Sequence, residues 1–121
     1  MPVLDDPSIT ALTRFLDLAA FRSQLVISNM ANIDTPGYRT RDVGNFRMEL
    51  ERASSDFAGA DFTPAVRPVA GLLERPDGNN VSLERESLLL ADTQMRFNAG
   101  IQILRDKFKL LMSAIHEGSP S

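Results

Sequence analysis

Few residues in this 121-residue chain have the types and spacing to do chemistry. His116 is the only histidine, placed near the end of the chain with no second histidine, cysteine or carboxylate pair beside it, so it reads as a solvated helix-end residue rather than a base or ligand. Asp5-Asp6 and Glu84-Glu86 are the acidic pairs, and both stand where helices should begin, where negative charge suits the N-terminal dipole. Ser28, Ser82 and Ser87 have no neighbour that could activate a hydroxyl. Gly37, Gly44 and Gly59 lack the spacing of a phosphate loop and follow no apolar strand. Arg39 and Arg41 flank a turn, but with one tyrosine and no tryptophan they fall short of a nucleic-acid surface. The absence of cysteine removes thiolate catalysis, disulfides and zinc-thiolate sites. The expectation is a chain that is not an enzyme, with no catalytic, cofactor-binding or metal site, no nucleic acid and no small-molecule substrate.

The elements around these residues carry more information. Length fits one domain, 43% apolar content supports a modest core, and a net charge of −3 creates no field that would gather polyanions or an anionic membrane. Neither proline nor glycine occurs between Ser8 and Thr35, and only Gly100 occurs between Asn79 and Glu117, so two long helices are predicted around a broken middle. The first starts with Asp6 as N-cap and Pro7 at the first helical position, and ends before Thr35, with Asn32 or Asp34 near its C-terminal end. Ile9, Leu12, Leu16, Ala19, Ser23, Val26, Met30 and Ile33 alternate three and four apart, a heptad seam interrupted only by Ser23. The helix is about 40 Å long and needs another helix to cover that seam.

The second helix is entered at Ser82, after the turn-prone Asp77-Gly78-Asn79-Asn80, and stopped by Gly118 and Pro120. Its predicted seam is Leu90, Gln94, Phe97, Ile101, Leu104, Phe108, Leu111 and Ile115. Further apolar residues, including Leu88, Leu89 and Met95, exceed what one helix pair can cover, which predicts association with copies of itself or similar chains. Gly100 has two readings, close helix approach or tolerated drift.

The fold class is therefore mainly α: two long N- and C-terminal helices paired as a coiled coil, with residues 1–34 and 79–121 as a discontinuous core and 35–78 as an irregular middle. Within the middle, Asp42 to Ala53 is predicted as a short amphipathic helix with Phe46, Leu50 and Ala53 on one face. One short strand or hairpin is expected around Ala65 to Leu73, after a stretch containing Phe57, Gly59 and Phe62. Met1-Pro2-Val3-Leu4-Asp5-Asp6 has neither the basic residues nor the apolar run of a cleaved secretory signal, which taken alone places the chain in the cytoplasm.

The first helix runs into Ser28-Asn29-Met30-Ala31-Asn32-Ile33-Asp34-Thr35-Pro36-Gly37-Tyr38-Arg39. Pro36 fixes φ at the second position of a tight turn, Gly37 supplies positive φ at the third, and Thr35 is pushed out of the α region by the proline that follows. This stretch resembles the motif shared by the axial proteins of the bacterial flagellum, the rod and hook family. Asn79-Asn80-Val81-Ser82-Leu83-Glu84-Arg85-Glu86, Gln94-Met95-Arg96-Phe97 and Leu104 to Ile115 are similar to the C-terminal part of that family's short proximal rod members. The chain lacks the large insertion that longer members carry between the two helices.

The resemblance implies a structural subunit of the basal-body rod, self- and hetero-assembling through its terminal helices into a hollow shaft that transmits torque and conducts exported subunits. By the same resemblance, its partners are copies of itself and other rod proteins, the rod–ring junction protein, the inner-membrane ring and the export gate. It implies type III export without a cleaved signal to the rod in the periplasmic space, which reverses the cytoplasmic expectation. Asn29, Asn32, Pro36, Gly37 and Tyr38 would form an assembly turn and the two seams would pack helices. A sister short rod protein and a cytoplasmic helical adaptor or export chaperone are the alternatives.

Overall fold

A computed structural model describes residues 6–54 and 62–117. The expectations attached to Asp5, Phe57, Gly59, Gly118 and Pro120 fall outside these residues. Three helices, α1 (Pro7–Ala31), α2 (Phe46–Ser54) and α3 (Leu83–Glu117), alternate with two short strands, β1 (Arg41–Val43) and β2 (Val66–Pro68).

The helix starts follow from local chemistry. Asp6 is extended and its carboxylate accepts from the Ser8 N–H at 2.8 Å and the Ser8 hydroxyl at 2.7 Å, with Pro7 at the first helical position. Ser82 caps α3, its hydroxyl accepting from the Arg85 N–H at 3.2 Å and its carbonyl from the Glu86 N–H at 3.0 Å. α1 ends at Asn32, three residues before Thr35.

α1 and α3 pack together antiparallel. Lys107 Nζ donates to Ser8 Oγ at 2.9 Å and Gly100 lies against Phe15 and Leu16, so the beginning of α1 faces the end of α3. On α1, Ile9, Leu16, Ala19 and Val26 are buried and Leu12, Ser23 and Met30 are half-buried; Ile33, expected at the end of this seam, is half-buried but lies in the turn just past the Asn32 cap.

On α3 the buried line departs from the predicted one. Leu90, Phe97, Leu104 and Leu111 are half-buried, but the positions alternating with them are Glu86, Thr93, Gly100 and Lys107, one residue before those expected. Gln94, Phe108 and Ile115 are exposed and Ile101 is half-buried. The cause is that the real seam positions are small or polar and find partners. Thr93 returns its hydroxyl to the Leu89 carbonyl at 2.6 Å, Glu86 bonds Arg85, and Gly100 receives a leucine. A Cβ on Gly100 would stand 2.7 Å from Leu16 Cδ2 and 3.3 Å from the Phe15 ring, so of its two readings close helix approach is the one observed.

The middle differs from expectation in its first residues. Arg41–Val43 is strand, not helix, and pairs antiparallel with Val66–Pro68 in the register Arg41 with Pro68, Asp42 with Arg67 and Val43 with Val66. Of the short strand or hairpin expected around Ala65 to Leu73, the strand is present as Val66–Pro68, and its partner is the distant Arg41–Val43 rather than a local hairpin arm. α2 begins only at Phe46 because Asn45 caps it, its side chain accepting from the Met48 N–H at 3.1 Å. Ala53 is buried, and the Phe46 ring meets Phe15 of α1 edge-on with centroids 5.9 Å apart.

Candidate functional site

Where α1 ends, the chain turns sharply. The Tyr38 N–H donates to the Thr35 carbonyl at 3.2 Å across Pro36 and Gly37, and Gly37 has φ of 76°, the left-handed value that a type II turn places on glycine. Asn32 ties the helix end to this turn. Its amide nitrogen donates to the Ser28 carbonyl at 2.8 Å and its amide oxygen accepts from the Thr35 hydroxyl at 3.0 Å. Pro36 and Gly37 are exposed at the tip.

Beyond the tip the chain folds back against α1 through Asn29, which is buried. Its amide nitrogen donates to the Arg41 carbonyl at 2.8 Å, while its oxygen accepts from the Arg41 N–H at 3.2 Å and the Tyr38 hydroxyl at 3.0 Å. The three side-chain bonds to Arg41 and Tyr38 all go to the segment after the turn, which fixes the orientation of the Asn29 amide.

A second set of polar residues, from the lead-in to α3, closes the turn from the other side. Asn79 is fully buried; its amide nitrogen donates to the carbonyls of Asn32 at 2.9 Å and Thr35 at 2.8 Å, and its oxygen accepts from the Val81 N–H at 2.8 Å. Asn80, also buried, accepts from the Thr40 N–H at 2.6 Å through its side chain and from the Thr40 hydroxyl at 3.2 Å through its carbonyl. The Gly37 N–H donates to the Asp77 carbonyl at 2.9 Å, and Arg75 reaches the Ile33 carbonyl. Gly78, with φ of 87°, comes so close that a Cβ there would lie 3.3 Å from Gly37 Cα.

Next to this junction, Asp42 of β1 draws together the two long helices. Arg22 of α1 binds it through two bonds of 3.0 and 2.9 Å, and Arg85 of α3 adds a third at 2.8 Å. Arg85 also holds Glu86 Oε1 at 2.8 Å. Glu86 stands with Glu84 in the first turn of α3, as expected of a helix-start charge, but unlike Glu84 it is fully buried, with Oε2 unpartnered. Its position on the α3 seam is the cause.

The structure therefore brings Asn29, Asn32, Pro36, Gly37 and Tyr38 into one corner. Sequence reasoning missed the partners of that corner: Thr40, Asp42, Asn79 and Asn80, with Arg22, Arg85 and Glu86. Asn79 and Asn80 were visible as a turn-prone pair after Asp77-Gly78 and as the start of the C-terminal stretch that carries the resemblance, but not as partners of the turn. His116 is exposed near the end of α3, beside Phe108 and Met112. Among the described residues no group of three or more histidine, aspartate or glutamate side chains could hold a metal ion, and no helix is long and apolar enough to cross a membrane.

Comparison with known proteins gives this corner its setting. The chain is 30% identical to the flagellar basal body rod protein FlgB of Salmonella typhimurium over 124 aligned positions, covering 86% of this chain and 89% of the relative. The chain belongs to the FlgB family of flagellar basal body rod proteins. Identity to the FlgB of Yersinia ruckeri is also 30%, over 85% of this chain and 89% of the relative. Against the FlgB of Bacillus subtilis it is 27%, with 92% and 95% covered. No protein-family model matches the chain. With FlgB relatives aligned over nearly their whole length, the two helices and the corner between them are read as those of a rod subunit.

Proposed function

We propose that this chain is the proximal structural subunit of the flagellar basal-body rod, and that α1 and α3 are both its core and its assembly surface. The observation that carries the assembly part is the apolar surface α3 leaves uncovered. Leu88 and Met95 are each 72% exposed, and Ile103, Phe108, Leu110, Met112 and Ile115 are exposed further along the same helix. A helix this apolar on faces turned away from its partner is suited to burial against other chains.

In this reading the α1 seam (Ile9, Leu12, Leu16, Ala19, Val26, Met30 and Ile33) and Leu90, Phe97, Leu104 and Leu111 of α3 hold the chain together. Phe108 and Ile115 serve contacts between chains, Ile101 borders both surfaces, and the exposed tip at Pro36-Gly37 meets a neighbour. Residues 1–34 and 79–121 form the rod core and 35–78 an appended middle. The partners are copies of the chain and other rod proteins, with the rod–ring junction protein, inner-membrane ring and export gate adjoining the proximal end. The shaft so built transmits torque and conducts exported subunits, and the chain reaches it in the periplasmic space by type III export without a cleaved signal. Its role is structural, without catalysis.

Cell fractionation tests this. The chain should copurify with detergent-extracted basal bodies, and deleting its gene should abolish filament assembly. An entirely soluble pool with normal filaments would instead favour a cytoplasmic adaptor or export chaperone.

A further inference from the structure

The polar junction joins segments some forty residues apart in the sequence. The carbonyls of Asn32 and Thr35, at the end of α1 and in the turn, receive the Asn79 amide from the lead-in to α3. Both carbonyls also accept within the turn, from the Thr35 N–H at 3.0 Å and the Tyr38 N–H at 3.2 Å, so the Asn79 amide adds a second bond to each. The Asn80 N–H donates the same way, to the Tyr38 carbonyl at 3.3 Å, and the exchange also runs the other way, because the Gly37 N–H donates to the Asp77 carbonyl at 2.9 Å and the Thr40 N–H to the Asn80 side chain at 2.6 Å. Thr40 and Asn79 are fully buried, so the Thr40 N–H and hydroxyl and the Asn79 amide nitrogen lose their partners if the other segment leaves.

We infer that Asn79 and Asn80 make the Pro-Gly turn conditional on α3: the turn and the lead-in to α3 open and close as one unit, so the corner forms only in a chain whose two helices are already paired. Three observations support the coupling. Gly37 and Gly78 both take left-handed φ, and their backbones approach where a side chain would intrude, so the two turns are shaped to each other. The Gly37 N–H is bonded to Asp77 rather than within its own turn. Asp42 then binds Arg22 and Arg85 together, which closes the junction on its far side only when α1 and α3 lie side by side. A subunit with α3 undocked would lack the corner and could not present it to a neighbour. That last consequence rests on the proposed assembly role of the turn; the coupling itself does not.

Native-state hydrogen exchange on the full chain tests the coupling without any assembly. The amides of Gly37, Thr40, Asn80 and Val81 should share one opening free energy and one denaturant dependence, although they come from two segments some forty residues apart. In Asn79→Ala the protection of that set should fall together by about tenfold or more, while amides in the middle of α1 and α3 change much less. The coupling is overturned if Gly37 and Thr40 exchange independently of Asn80 and Val81 in the unmodified chain, which needs no variant to fold. It is also overturned if Asn79→Ala leaves the set unchanged or lowers every amide equally. Incorporation of Asn79→Ala into basal bodies is read separately: coupled exchange with normal incorporation would keep the conformational coupling and refute the role of the turn in assembly.

Discussion

Asn29 and Arg41 pair as two residues of neighbouring strands would, the Asn29 side-chain amide donating to the Arg41 carbonyl at 2.8 Å and accepting from the Arg41 N–H at 3.2 Å. A buried helix residue thereby stands in for a strand next to β1. The same oxygen holds the Tyr38 hydroxyl, so one side chain sets both the aromatic after the turn and the first residue of the sheet.

Asn29→Ala should cost about 2–3 kcal/mol in urea unfolding, because the Arg41 peptide and the Tyr38 hydroxyl lose their partners in a largely buried place. Asn29→Asp should not rescue, since a carboxylate cannot donate to the Arg41 carbonyl. Near-native stability in Asn29→Asp would show that the donor half of this pair is unimportant.

Asp42→Ala should be among the most damaging single changes, at about 3 kcal/mol. It leaves Arg22 and Arg85, each still partly in contact with water, facing one another without the carboxylate between them. A double-mutant cycle combining Asp42→Ala with Arg22→Met should show strong coupling in thermal unfolding. Simple additivity would mean the arginine contributes independently of Asp42.

Gly100 should tolerate little. Gly100→Ala should lie within about 1 kcal/mol of the unmodified chain, because the gain in helix propensity opposes displacement of Leu16. Gly100→Leu should lose about 2–3 kcal/mol by overpacking and splay α1 from α3. Denaturant midpoints and near-ultraviolet dichroism of both variants provide the check.

At the start of α1, hydrogen bonds from the Ser8 hydroxyl and then the Ser8 N–H hold the Asp6 carboxyl below the ordinary aspartate pKa, with a further contribution from nearby Lys107. A pKa lowered by folding means that the capping contribution is complete above the unfolded aspartate value, near pH 4, and is lost as pH falls through the lower folded value. Asp6→Asn, which keeps a capping acceptor, should remove this acid sensitivity from the first turn. Titration of the Asp6 carboxyl followed by NMR reads the shift directly.

The two long helices and their caps were legible because Asp6, Pro7 and Ser82 signal locally, and because proline and glycine are absent from almost the whole of each run. On α3, Leu90, Phe97, Leu104 and Leu111 were placed correctly, but the positions alternating with them were misplaced by one residue because hydrophobicity marks Ile101 and Phe108 more strongly than Gly100 and Lys107. Periodicity cannot register that a glycine is buried by accepting a leucine, or that a buried glutamate has an arginine beside it. The turn at Pro36-Gly37 was legible in shape. Its partners were not, because Asn79 and Asn80 lie far along the chain and nothing local distinguishes an asparagine that caps another segment from one that makes its own turn. The β1–β2 pairing was hidden for the same reason.

In the assembled rod α3 should bury its outer apolar stripe against neighbouring chains, and the absence of native cysteine allows a direct test. A Met95→Cys chain should react readily with a maleimide when isolated, since position 95 is exposed, and should be protected in purified basal bodies. Equal reactivity in both states, or absence of the chain from the basal bodies, would contradict the account.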